Sequence, residues 1–77
     1  GKSLLPSGVK FVSGVFKRGD AVEISGPDGV PFARGLVNFE ASDCLKICGR
    51  HSDEIHAILG PNVDDELIHR DNLTLLL

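Results

Sequence analysis

Gly26-Pro27-Asp28-Gly29 forces the chain to reverse direction. Proline fixes φ and glycine admits positive φ, so the four residues demand a tight turn. Ahead of it, Ala21-Val22-Glu23-Ile24 alternates, with Val22 and Ile24 on one face and Glu23 on the other. Behind it, Val30 to Phe39 reads as the returning strand of a hairpin. Pro31 cannot donate to a ladder, which places its end of the strand at an edge. Gly35, in mid-strand, predicts a bulge or a close approach of backbone.

Upstream, Val9, Phe11 and Val15 belong to a run rich in β-branched and aromatic residues. That run predicts a further strand, ending at the turn Lys17-Arg18-Gly19-Asp20. Phe11, Phe32 and Phe39 are assigned to the core.

Past Phe39 the period changes. Ser42 is read as the cap of a helix over 43–48 whose apolar residues are Cys44, Leu45, Ile47 and Cys48, with Gly49 ending it. Ser52 is read as the cap of a second helix. Asp53 and Glu54 sit in its first turn, where the helix dipole favours them. Ile55, Ile58 and Leu59 form its apolar stripe, and Gly60-Pro61 stops it. Asp64-Asp65-Glu66 reads as a solvated loop, and Leu67-Ile68 with Leu73-Thr74-Leu75 as closing strands. The sum is an α+β, mainly β domain spanning residues 1–77. A chain of 77 residues forms one domain at most, and buries only about 60% of its unfolded surface. It holds no methionine and opens on Gly1-Lys2-Ser3, which reads as a domain excised from a longer chain.

No apolar run approaches the roughly 18 residues of a membrane helix. Two cysteines four positions apart on a helix are poor disulfide partners, so a reduced, cytoplasmic setting is expected. Net charge is −3, split unevenly. Residues 1–39 hold five Lys/Arg against three Asp/Glu, and residues 40–77 hold three against eight. A nucleic-acid surface would therefore have to come from the first half.

Cys44, Cys48, His51 and His56 approximate the paired spacing of a zinc site. The competing reading places both cysteines on an apolar helix face as small hydrophobes, and we adopt it. A Cys/His nucleophile pair fails too, because a reactive thiolate needs an electropositive, accessible setting. Gly1-Lys2-Ser3 lacks the upstream half of a Walker A loop. Gly26-x-x-Gly29 joins strands rather than the helices of a KH loop. No catalytic, cofactor or metal site emerges. The candidate RNA or partner contacts are Lys2, Lys10, Lys17, Arg18 and Arg34, with Arg50 and His51 at the turn between the helices.

Ser3-Leu4-Leu5-Pro6-x-Gly8-Val9, Arg18-Gly19-Asp20 and Ala33-Arg34-Gly35-Leu36-Val37 resemble a PUA domain, a β-rich pseudobarrel found in RNA-modifying enzymes. Ile47-x-Gly49-Arg50-His51-Ser52-Asp53-Glu54-Ile55 and His69-Arg70-Asp71-Asn72-Leu73 are similar to the C-terminal PUA domain of the bacterial glutamate 5-kinase family. The resemblance implies a PUA-like pseudobarrel with two short helices, lacking the family's usual first strand and helix. The gap would be tolerated as strain or closed by association into a homo-oligomer.

It also implies an upstream amino-acid-kinase domain in the same chain as a partner. That domain would hold ATP and Mg²⁺ and phosphorylate glutamate in proline biosynthesis. The present chain would be a non-catalytic module with a regulatory or interaction role. The alternative is an RNA-binding PUA module of an RNA-modifying enzyme.

Overall fold

β1 (Ala21–Ser25) and β2 (Pro31–Leu36) pair antiparallel across the Gly26–Gly29 turn, in the computed structural model, which describes residues 2–76. The turn closes as its composition requires. Gly29 donates its N–H to the Gly26 carbonyl at 3.0 Å, and Val30 donates to Asp28 Oδ1 at 3.0 Å. Gly29 takes φ 79°, which an L side chain rarely adopts. The ladder sets Ala21 opposite Leu36 and Glu23 opposite Arg34, then shifts register between Ile24 and Ser25. Pro31 sits beyond that irregularity, where a missing N–H removes no regular rung.

β3 (Leu73–Leu75) adds to the other side of β2, giving an antiparallel sheet in the order β1-β2-β3. Gly35 pairs with Leu73 there, and the close approach expected of it is real. A Cβ at Gly35 would stand 2.7 Å from the Asn72 carbonyl oxygen.

Two helices follow β2 in the chain and pack against each other. α1 (Ala41–Ile47) starts two residues earlier than its sequence suggests, with Glu40 in the cap position. Ser42 lies inside it and donates its hydroxyl to Glu40 Oε1 at 2.8 Å. α2 (Ser52–Leu59) is capped by His51, so Ser52 is its first residue and not its cap. Gly49 and Gly60 end the helices with φ 79° and 106°, as their positions foretold.

The buried centre is Val37, Phe39, Cys44, Ile47, Ile55, Leu67 and Ile68, with Leu4, Val9, Val12, Phe16 and Leu59 packed around it. The whole is an α+β arrangement of one three-stranded antiparallel sheet and two short helices.

Several expectations need correcting. Residues 9–17 form no strand. Val9, Val12 and Phe16 turn inward, but Phe11 is 77% exposed and Val15 98%. β-propensity is satisfied only when a partner strand is present, and among the described residues none lies beside this run. Phe32, at 47% exposure, is likewise outside the core, whereas Phe39 is inside. The returning strand stops at Leu36 rather than Phe39. Val37 leaves it to exchange hydrogen bonds with the loop before β1, donating to Asp20 and accepting from Gly19. Leu67-Ile68 contributes one bridge, Leu4 to Ile68, and not a strand. Ile58 faces outward, so the stripe of α2 is Ile55 with Leu59 half-buried behind it.

Candidate functional site

The Cys/His cluster does not converge. Cys44 is fully buried on α1 and its Sγ points at the Phe39 carbonyl, 3.7 Å away. Burial, and then the neighbouring Asp43 and Cys48, push its thiol up to about 11 from 9.0, so it stays protonated. Cys48 turns its Sγ toward the Leu45 carbonyl at 3.6 Å. His51 stands at the start of α2, exposed. His56 Nε2 lies 2.8 Å from Asp65 Oδ1, though off the direction a hydrogen bond needs. Among the described residues no group of three or more His, Cys, Asp or Glu is placed to hold a metal ion.

The basic residues named from sequence are dispersed, and most are occupied. Arg18 donates to the Asn38 carbonyl at 3.0 Å and pairs with Asp64 at 3.1 Å. Arg34 faces Glu23 across the β1–β2 ladder at 3.7 Å. Arg50 binds Glu54 at 3.1 Å, one helical turn on, while the His51 N–H donates to Glu54 Oε1 at 3.4 Å. Both residues at the helix–helix turn are thus engaged in starting α2. Lys2, Lys10 and Lys17 pair with no carboxylate among the described residues. Gly1 of the Gly1-Lys2-Ser3 tripeptide lies outside the described residues.

The structure adds a cation the sequence reading left aside. Arg70 follows His69 into a 3₁₀ turn, Arg70–Asn72, and its backbone N–H donates to Ser3 Oγ at 3.0 Å. The Leu4–Ile68 bridge, with N–H···O distances of 3.0 and 3.3 Å, holds the two segments together, and the Leu67 N–H also donates to the Leu4 carbonyl at 2.8 Å. Lys2, Ser3, Leu5, Glu66, His69 and Arg70 thereby line one surface cavity of about 380 Å³. A neighbouring cavity of about 310 Å³ shares Lys2, Ser3 and Arg70 and adds Leu4, Phe32, Leu73 and Leu75. In the sequence Arg70 stands only within the motif His69-Arg70-Asp71-Asn72-Leu73, and it is not among the contact candidates. Only the contact with Ser3, 67 positions away, reveals its company.

Comparison with known proteins decides the family. The PUA domain pattern matches residues 1–59. The chain belongs to the PUA domain family. This PUA domain is 57% identical over 75 residues to a glutamate 5-kinase of Nostoc sp., and 55% identical to one of Pseudomonas putida. A glutamate 5-kinase of Rhizobium etli is 53% identical over the same length. Each match covers 97% of the chain, which spans about a fifth of these relatives' length. Among the described residues, no helix is long and apolar enough to cross a membrane.

Proposed function

We propose that this PUA domain is a non-catalytic module of a glutamate 5-kinase, acting in regulation or assembly of the whole enzyme. The observation that carries the reading is the 53–57% identity to glutamate 5-kinases across 97% of the chain. On this reading an upstream amino-acid-kinase domain of the same cytoplasmic chain holds ATP and Mg²⁺ and phosphorylates glutamate for proline biosynthesis. The one thiol that burial perturbs is held protonated, and four of the eight Lys/Arg side chains (Arg18, Arg34, Lys46, Arg50) pair with nearby carboxylates. The test removes residues 1–77 from the full-length enzyme. Feedback inhibition, metal dependence or oligomeric state should change; if all three stay as they were, the reading is wrong.

A second reading, an RNA-binding module, is favoured by Lys2, Lys10 and Lys17, which have no carboxylate partner among the described residues. It requires binding to structured RNA that weakens steeply as salt rises. Absence of binding at low salt disposes of it.

A further inference from the structure

β2 is packed inside out. Its inward positions, Ala33 and Gly35, are small and buried, while Phe32, Arg34 and Leu36 alternate with them and point to the other side of the sheet. The inner side meets the core through Val22, Ile24 and Leu73. An antiparallel sheet with one solvated face commonly carries polar residues on it. Here Phe32 is 47% exposed, Leu36 45% and Leu76 40%, so the larger apolar groups of this region lie on the side away from the core.

The strand register arranges them. Ala21 stands opposite Leu36, and Glu23, Arg34 and Thr74 lie in line across the three strands. Leu76 continues the ladder past β3, donating its N–H to the Phe32 carbonyl at 2.8 Å, which sets its side chain beside Phe32. The outer face is thus a polar belt with an apolar group at either end, Leu36 with Ala21 and Phe32 with Leu76. Arg34 and Glu23 pair at 3.7 Å, so the belt is neutral. A neutral belt between apolar ends is complementary to another protein surface and offers little to a polyanion.

Both described ends of the chain lie at the rim of this face. Lys2, Ser3 and Leu4 share a cavity wall with Phe32 and Leu75, and Leu76 is bonded to Phe32. The chain spans 20% of the length of the glutamate 5-kinases it matches. In such an enzyme the polypeptide preceding Lys2 sets off beside Phe32, and a segment tethered there meets the face at high effective concentration.

We infer that the outer face of the sheet, Phe32, Leu36 and Leu76 around the Glu23–Arg34 pair, docks against the preceding part of the same chain. The inference rests on the reading of this domain as a module of a glutamate 5-kinase, and it names the surface through which the module meets the rest of the enzyme.

Photocrosslinking in the full-length enzyme tests it. Thr74→p-benzoylphenylalanine places the probe in the polar belt, and Ala21→p-benzoylphenylalanine places it beside Leu36; both positions are exposed. Leu45, exposed on α1, is the control position. Illumination should join both probes to peptides that precede Gly1, at the mass of a single subunit on a denaturing gel. The Phe32→Ser/Leu36→Ser double substitution should lower that yield about tenfold or more. Neither side chain belongs to the buried core, and an unreactive Cys44 thiol reports that the double variant is folded. Adducts that double the subunit mass assign the face to a second copy and overturn the inference. A yield no higher than at Leu45, or unchanged in the double variant, overturns it as well. Any of these failures leaves the regulatory reading standing, because that reading is judged by what removal of residues 1–77 does to inhibition, metal dependence and oligomeric state.

Discussion

Gly35 and Ile68 touch so closely that there is no room for a side chain between them. A Cβ on Gly35 would lie 2.7 Å from Ile68 Cγ2, with the Asn72 carbonyl oxygen equally near on the backbone side. β2, the Leu4–Ile68 bridge and the turn before β3 all meet at this point. Gly35→Ala must therefore push strand and turn apart, at a cost of about 1–3 kcal/mol by the usual penalty of overpacking. Urea unfolding should show the loss as a lower midpoint at an unchanged slope.

α1 contains its own control. Ile47 is fully buried, while Leu45 on the same helix is 58% exposed. Ile47→Ala leaves a cavity and should cost about 2–5 kcal/mol, a large share of a small domain's stability. Leu45→Ala should stay within about 0.5 kcal/mol. Equal effects in thermal unfolding would contradict the packing described here.

Cys44 makes stability fall at alkaline pH. Its folded pKa is raised to about 11 from 9.0, chiefly by burial, so the unfolded chain gives up this proton first as pH rises. The contribution is complete below 9.0 and is lost as pH climbs toward about 11. Cys44→Ala should flatten that part of the stability profile. A thiol reagent should label half-buried Cys48 in the native state and reach Cys44 only on unfolding.

The segment before β1 presents Phe11 and Val15 to solvent, and β1 and β3 are the outer strands of the sheet. Exposed apolar side chains and unpaired strand edges each favour association. Light scattering on the chain should give a mass that rises with concentration, and the pair Phe11→Ser and Val15→Ser should bring it toward the monomer. A chain that is monomeric at every concentration rules this out.

Local chemistry was legible in the sequence, and long-range company was not. Gly26–Gly29 announced the hairpin turn, and Gly49 and Gly60 both helix ends, because the positive φ that Gly29, Gly49 and Gly60 adopt is a freedom of the residue itself. Gly35 signalled a close approach without naming Ile68 as the neighbour. Residues 9–17 looked like a strand because Val and Phe favour extended backbone, but a ladder needs a partner that composition cannot supply. Phe11 and Phe32 were assigned to the core on hydrophobicity alone, and both turned out exposed. Lys2 was flagged as a contact and Arg70 was not. Their shared cavity depends on a bridge between the two ends of the chain.

The central claim, a silent module that governs a kinase from outside its active site, is tested most directly by the phosphorylation rate of glutamate. That rate should be measured with and without residues 1–77 in the full-length enzyme, at rising concentrations of its feedback inhibitor. Without them the account predicts phosphoryl transfer largely retained at saturating substrate, with a displaced inhibition curve, metal requirement or subunit association. Loss of phosphoryl transfer by a truncated enzyme that remains folded would place catalytic groups in this domain and contradict it.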